Sequence, residues 1–381
     1  MIKNLAGILI ASMYLGSASM AQTLPGEPGA KPATTVNDDV SRGIKNTGYK
    51  NNKKEKSRVK ISGEFHGNWN MDLRNEENGG NDIKESTFNV TRVYLTAKTK
   101  LSSWLSARST LDFGNYMGDI EQADHDPLLG YIKYAYFKTL LTENHSIVFG
   151  QQPRVWVGTM DKTMSYRYVM KSSMDHFGLF PSADTGVTWN GKFIGGIVDI
   201  TAGIFNGNGY KDPAPGEEII SNLFETRITI KPVADKKHIF SKLAVHLYFG
   251  TDGYQLDDGT VTEDFRRFVF GGALGFNHPM VDALVEFMMI KNGQDGDKGS
   301  MVISPYLALK YRNLALFGTY GIFTDSNRDT DDTWTRLVAG ISWTPCKKLA
   351  LAINYQMESN TKFGGDGSNK SALFLSTFFK Y

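Results

Sequence analysis

From position 59 to the last residue, hydrophobic and polar side chains alternate with a period of two over long runs. In VKISGEFHGNWNM, one set is Val59, Ile61, Gly63, Phe65, Gly67, Trp69 and Met71, and the other is Lys60, Ser62, Glu64, His66, Asn68 and Asn70. VYLTAKTKL, LALAINYQM and the terminal LFLSTFFKY repeat the pattern, which is that of a strand with one wet and one apolar face. Sixteen such segments are predicted: 58–71, 87–100, 103–113, 129–140, 145–152, 184–192, 195–206, 222–232, 239–250, 265–276, 280–291, 301–311, 313–324, 333–343, 347–358 and 371–381. Most exceed the ~5–6 residues usual for soluble strands and reach the ~9–11 needed to cross a bilayer at a tilt. The connections alternate too. Long ones (72–86, 114–128, 153–183, 207–221, 251–264, 292–300, 325–332 and 359–370) follow short ones (such as 101–102, 193–194 and 312). That asymmetry predicts an all-β fold: a closed antiparallel transmembrane β-barrel of about 16 strands, with short periplasmic turns and long outer loops.

Closure follows from the medium. In hydrocarbon every backbone N–H and C=O must be satisfied internally, so no sheet edge can be left open. The last segment is therefore expected to pair with the first, with Phe379 and Tyr381 in an interfacial aromatic girdle.

The residues before the alternation differ in kind. MIKNLAGILIASMYLGSASMAQT has Lys3, an apolar stretch from Leu5 to Leu15 and small residues up to Ala21. It is expected to be a secretory signal peptide over 1–21, too short for a lasting transmembrane helix. Residues 22–57, rich in Pro, Gly, Asn and Lys, are expected to form a disordered basic periplasmic arm, and 58–381 the barrel. No later apolar run is long enough to span a bilayer as a helix. The single cysteine, Cys346, excludes an internal disulfide and is expected in a turn. No metal-ligand spacing of Cys and His and no cofactor motif is present, so no cofactor and no metal site is expected.

An eight-strand barrel is filled by its own side chains, whereas about sixteen strands leave a lumen. Function then depends on what lines or plugs it. The connection 153–183 is too long and too aromatic for an outer tip: Trp156, Tyr166, Tyr168, Phe177 and Phe180 all call for burial. It is expected to fold into the lumen as a constriction. The other long loops are strongly acidic, while the chain as a whole is +2, so the strands and short turns must be basic. Charges do not face lipid comfortably, and alternation turns Lys60, Arg92, Lys98, Lys100, Arg108, Lys133, Arg227, Lys231, Lys310 and Arg336 inward. Arg92, Arg108, Lys133, Arg227 and Arg336 are expected to line the wall. Arg154, Arg167 and Lys171, with Tyr166 and Tyr168, are expected at the constriction, Arg154 and Arg167 holding an anion through charge-assisted hydrogen bonds. Glu64, Asp112, Glu225, Glu286 and Glu358 share the inner face and would neutralise part of this charge. The acidic stretches at 257–264, 295–297 and 325–332 would form an acidic rim with affinity for cations.

RVYLTAKTKL, YIKYAYFK, IVFGQQP, SYRYVMKSSMDHFGLFPSADTGV and GIFNGNGY resemble the phosphate-selective porin O/P family in the form found in Bacteroidota-like bacteria, most specifically at FPSADTGV and FNGNGY. The resemblance covers most of the chain after about residue 58. It implies a sixteen-stranded, usually trimeric outer-membrane channel for small anions, with a basic lining and the third loop folded inside. Of the basic residues, Arg92, Arg108, Lys133, Arg154, Arg167 and Lys171 fall in matching segments, without a regular arginine ladder or lysine cluster. The implied partners are small anions or other hydrophilic solutes, outer-membrane lipid and lipopolysaccharide, the barrel assembly machinery through the aromatic C-terminal strand, and further copies of the chain. Nucleic acid is not an expected partner. A sugar-permeable channel using Trp156, Tyr166 and Tyr168, or an adhesive surface barrel, are the alternatives. His125, His176 and the scattered aspartates show no nucleophile motif or acid–base spacing, so an enzyme is not expected.

Overall fold

The computed structural model describes residues 59–76, 86–114, 129–207, 209–211, 223–233, 235, 237–253, 266–292, 299–325, 332–361 and 368–381. The expected leader 1–21, the arm 22–57, the acidic stretches 257–264 and 295–297, and most of 325–332 lie outside the described residues.

The strands, in chain order, are β1 (Val59–Glu76), β2 (Ser86–Lys100), β3 (Leu105–Gly114), β4 (Leu129–Leu140), β5 (His145–Pro153), β6 (Ala183–Phe193), β7 (Val198–Phe205) and β8 (Leu223–Ile230). They continue with β9 (Leu243–Gly253), β10 (Arg266–Asn277), β11 (Val281–Asn292), β12 (Gly299–Tyr311), β13 (Leu314–Asp325), β14 (Asp332–Cys346), β15 (Leu349–Thr361) and β16 (Ser368–Lys380). Each pairs with its sequence neighbours and β16 returns to β1, which closes the barrel. Phe65 stands opposite Phe379 and Trp69 opposite Leu375 at the closing seam. Gly63 and Tyr381 exchange backbone hydrogen bonds of 3.2 and 3.1 Å. The tyrosine ring occupies the space a side chain at Gly63 would need, since a Cβ there would stand 1.9 Å from a ring carbon. Tyr381 is 54% exposed on the outer wall and stacks beside Phe379 at 6.3 Å.

The outer face is apolar and open. Leu95, Phe137, Phe149, Leu274, Val285, Leu307, Leu316, Ile341 and Ile353 are all exposed, as a wall facing hydrocarbon requires.

Strand ends differ from the expected ones where a turn competes. β7 starts at Val198, not 195, because Ile194–Gly196 forms a 3-10 turn with Ile194, Gly195 and Gly196 at positive φ. β9 starts at Leu243, not 239, since Ile239–Lys242 is also a 3-10 turn, capped by the His238 ring accepting from Phe240 N. Cys346 is exposed at the end of β14, past a bulge after Trp343, and not in a turn.

Between β5 and β6 the chain folds inward as two short helices, α1 (Val157–Thr163) and α2 (Ser173–His176), so the long third loop lies in the lumen. Trp156, Val157, Met160, Met164, Tyr166, Met170, Met174 and Phe180 pack there against inward residues of β9–β15, among them Tyr248, Leu284, Met288, Val302, Tyr306, Phe317 and Val338. These strands thus have two apolar faces, one against lipid and one against the loop. Burying a large side chain in this way is worth about 1.5–3 kcal/mol each.

Candidate functional site

The root of the inserted loop is held by carboxylates that reach in from the wall. Glu225 on β8 accepts from Arg154 Nε at 2.6 Å, from the backbone N–H of Val155 at 2.9 Å and from the Tyr248 hydroxyl at 2.9 Å. Arg154 is 2% exposed and its guanidinium lies over Phe180 at 4.8 Å. Burial works against this charge, but Glu225 more than offsets it and raises the Arg154 pKa above the ordinary arginine value. Glu286 on β11, equally buried, accepts the Trp156 indole N–H at 2.5 Å and bonds from Ser173, so one carboxylate ties the starts of both helices to the wall.

Further along, Asp282 receives Ser165 and Lys310. Tyr166 stacks on Phe317 at 4.5 Å, and burial pushes its hydroxyl up to about 12. The Tyr168 hydroxyl and Ser342 are 2.9 Å apart.

The two motifs FPSADTGV and FNGNGY meet in one joint. Asp184 accepts from the backbone N–H of Gly207 at 2.8 Å and of Thr185 at 2.7 Å. Gly209 has φ +83°, and a Cβ there would stand 2.7 Å from Pro181, so glycine serves both the left-handed backbone and the close approach. The joint carries Tyr210 inward, where its hydroxyl donates to Asp112 at 3.3 Å and its ring meets the Lys133 ammonium at 5.1 Å. Fully buried Asp112 also pairs with Arg92 at 3.2 Å and Lys133 at 3.6 Å.

The space left between the loop and the wall is a cavity of about 740 Å³, bordered by β1, β2, β14, β15, β16, Gly207 and residues 209–211. Five cationic side chains line it, Arg92, Arg167, Lys171, Lys211 and Arg336, against two carboxylates, Asp175 and Glu358. Arg167 is held by Asp161 at 2.9 Å and Asp175 at 2.7 Å. Burial opposes its charge, yet the two aspartates win and its pKa is raised. Lys171 is exposed, and burial of its surroundings lowers its pKa despite Asp175. His176 stands 3.2 Å from Glu358. Burial, then Arg336 and Lys171, lower the imidazole to about 2. The sum is a low-dielectric, basic strip beside the loop, where fields act strongly on small ions.

Of the residues expected to serve the site, Arg92, Arg167, Tyr168, Lys171 and Arg336 border this cavity. The others do not. Arg154 is consumed in the Glu225 clasp, and Tyr166, 7% exposed, lies under the loop against Phe317. Lys133 is 3% exposed, with its ammonium 2.9 Å from the Tyr94 hydroxyl. The ladder slips between Thr110 and Leu111 beside it. Arg108 lies over the Tyr134 ring at 4.4 Å, and Arg227 donates to Thr201 at 3.0 Å and to Thr159 of α1. The expectation that wall carboxylates neutralise wall cations is met at Asp112 and at Glu64 with Lys380; Asp282 with Lys310, and Asp199 with Lys231 2.9 Å apart, are further pairs that were not anticipated. Lys211 and His66 were not anticipated. Lys211 follows directly on FNGNGY, and that motif's glycines were the available signal. Among the described residues no group of three or more His, Cys, Asp or Glu is arranged to hold a metal ion.

No protein-family model matches the chain, and no curated protein is similar to it in sequence. Solved structures are similar in fold. The outer membrane channel DcaP of Acinetobacter baumannii superposes with a TM-score of 0.60 at 12% identity, over 86% of this chain and 99% of that one. The trimer form of in-vitro folded OmpT of Vibrio cholerae gives 0.58 at 14% identity, over 85% and 99%. An anion-selective porin from Comamonas acidovorans gives 0.58 at 12% identity, over 85% and 100%. The described chain has the closed sixteen-stranded barrel of Gram-negative outer-membrane porins.

Proposed function

We propose that the protein is a porin of the cell outer membrane of a Gram-negative bacterium, a passive diffusion channel for small hydrophilic solutes that prefers anions such as phosphate. The observation that carries this reading is the charge of the passage: five cations against two carboxylates on the cavity left by the inserted loop. Solute is held weakly by Lys171 and Arg336 and handed on, since conduction needs binding that is easily reversed. The phosphate-selective porin O/P resemblance and the fold shared with an anion-selective porin support the same preference. No catalytic role is assigned to any residue.

The chain is proposed to reach the membrane through the leader 1–21 and to act as a homotrimer. An outward row across β2–β6, Ala97, Ser109, Ala135, Gln151 and Thr185, is small or polar. The matching row on β13–β16 is Leu316, Ile341, Ile353 and Leu375. The first row suits contact with another copy better than lipid. The experiment is titration of inorganic phosphate into a chloride current carried by the purified protein in a planar bilayer. Block by phosphate that weakens in Lys171→Gln is expected. Indifference to phosphate, with block by sugars instead, would favour a sugar-permeable porin using Tyr168.

A further inference from the structure

The cavity that carries the basic strip is also lined by aromatic rings, which compact inorganic anions do not need. His66 and Tyr168 border it, and Phe378 sits between them, 5.4 Å from His66 and 5.7 Å from Tyr168. Tyr94 extends the row beyond His66 at 5.8 Å. In the packed part of the lumen the large rings are covered: Trp156, Tyr248 and Phe317 are all buried. Tyr94, Tyr168 and Phe378 stay only half-buried, and apolar area left in water forgoes about 25 cal/mol per Å².

Beside this panel are polar groups with little to hold. Arg336 is 6% exposed, yet its contacts are long, 3.5 Å to the Lys171 carbonyl and 3.9 Å to Glu358. Its Nε, and Nε2 of 7% exposed His66, have no hydrogen-bond partner among the described residues. The cavity volume of about 740 Å³ falls in the range of roughly 300–1,000 Å³ typical of small-molecule sites.

We infer that the passage takes organic carboxylates with an aromatic body in preference to compact inorganic anions. The carboxylate is received by Arg336 and Lys171, and the ring lies on the Tyr168–Phe378–His66 panel. A guanidinium fork matches a carboxylate better than it matches a spherical ion, and a ring of the solute replaces water on the panel. This rests on the anion-channel reading, and the test separates the two.

Chloride current through the wild-type channel in a bilayer is blocked in turn with benzoate, acetate, inorganic phosphate and glucose, after the chloride-to-potassium preference has been measured. Benzoate is expected to block at a concentration about tenfold below acetate or phosphate, the size of a ring contact. Tyr168→Leu brings benzoate to the level of acetate, and Tyr168→Phe keeps the difference. Equal block by benzoate and acetate in a chloride-preferring channel overturns this inference and leaves the channel reading standing. A potassium preference overturns both. Block by glucose where benzoate has no effect assigns the panel to sugars and also overturns the inference. If Tyr168→Leu does not yield a heat-modifiable folded barrel, the wild-type comparison decides alone.

Discussion

The two sides of the lumen wall solve different problems with the same strand geometry. On β9–β14 the inward residues include Tyr248, Leu284, Met288, Val302, Tyr306, Phe317 and Val338, all buried in one cluster with the inserted loop, with Asp282, Glu286 and Ser342 bonded to the loop between them. On β16, β1 and β2 they are Ser376, His66, Asn68 and Arg92, which border the open cavity. The apolar part of this wall has little to offer water, so the loop packs onto it and the remaining cavity lies beside the more polar strands β14–β16, β1 and β2. The position of the cavity is therefore set by where the lumen is apolar as much as by where it is charged. Carboxylates that would compete with the basic residues are spent on the packed side: Glu225 and Glu286 hold the loop, out of reach of solute.

The largest expected effect lies on the packed side. Glu225→Ala leaves Arg154 charged, buried and without its carboxylate, and should destabilise the barrel by about 3–5 kcal/mol, read from urea unfolding in lipid vesicles. Replacing both partners, Arg154→Met with Glu225→Leu, should cost far less. Equal losses in the two would mean that Arg154 reaches water.

A smaller effect is expected on the open side. Lys171→Gln combined with Arg336→Gln should lower the chloride-to-potassium permeability ratio by roughly a few-fold per charge removed, with little change in unfolding. The same ratio in Lys231→Gln, whose ammonium is paired with Asp199 at 2.9 Å, should stay near wild type. A larger change there would place the passage along the wrong wall.

The smallest effect concerns pH. His176 is lowered from 6.5 to about 2 by burial and by Arg336 and Lys171, so the unfolded chain takes up its proton well before the folded one does. Its contribution to stability is complete above about pH 6.5 and is lost as the pH falls from there towards 2. Between pH 7 and 8 the ring is neutral in both states, so His176→Gln should leave the selectivity unchanged there. A selectivity step near pH 6.5 that vanishes in His176→Gln would show a charged ring in the native passage.

Much of the barrel is legible in the sequence because a transmembrane strand writes its two environments residue by residue. All sixteen strands, the closure of β16 on β1 and the inward turn of the third loop follow from alternation, connection length and the aromatic content of 153–183. What was not legible lay where two elements meet. Alternation identifies the face a side chain occupies but not whether another segment covers it, so Arg154 and Tyr166 were expected in the passage and are buried. The cover did leave a trace. Segments such as LVEFMMI at 284–290 and LALFGTYGIF at 314–323 are apolar at both odd and even positions, the mark of a strand buried on both faces. Lys133 shows the same limit: alternation turns it inward, as it is, but Tyr94, Tyr210 and Asp112 enclose it there.

The central claim is that the loop leaves one passage along a net basic wall and that anions use it. It is tested most directly by the reversal potential of the purified wild-type protein in a planar bilayer under a potassium chloride gradient. The account predicts a reversal potential of the sign set by chloride, moving towards zero in Lys171→Gln with Arg336→Gln. A potential of the sign set by potassium, unchanged by those substitutions, would contradict it.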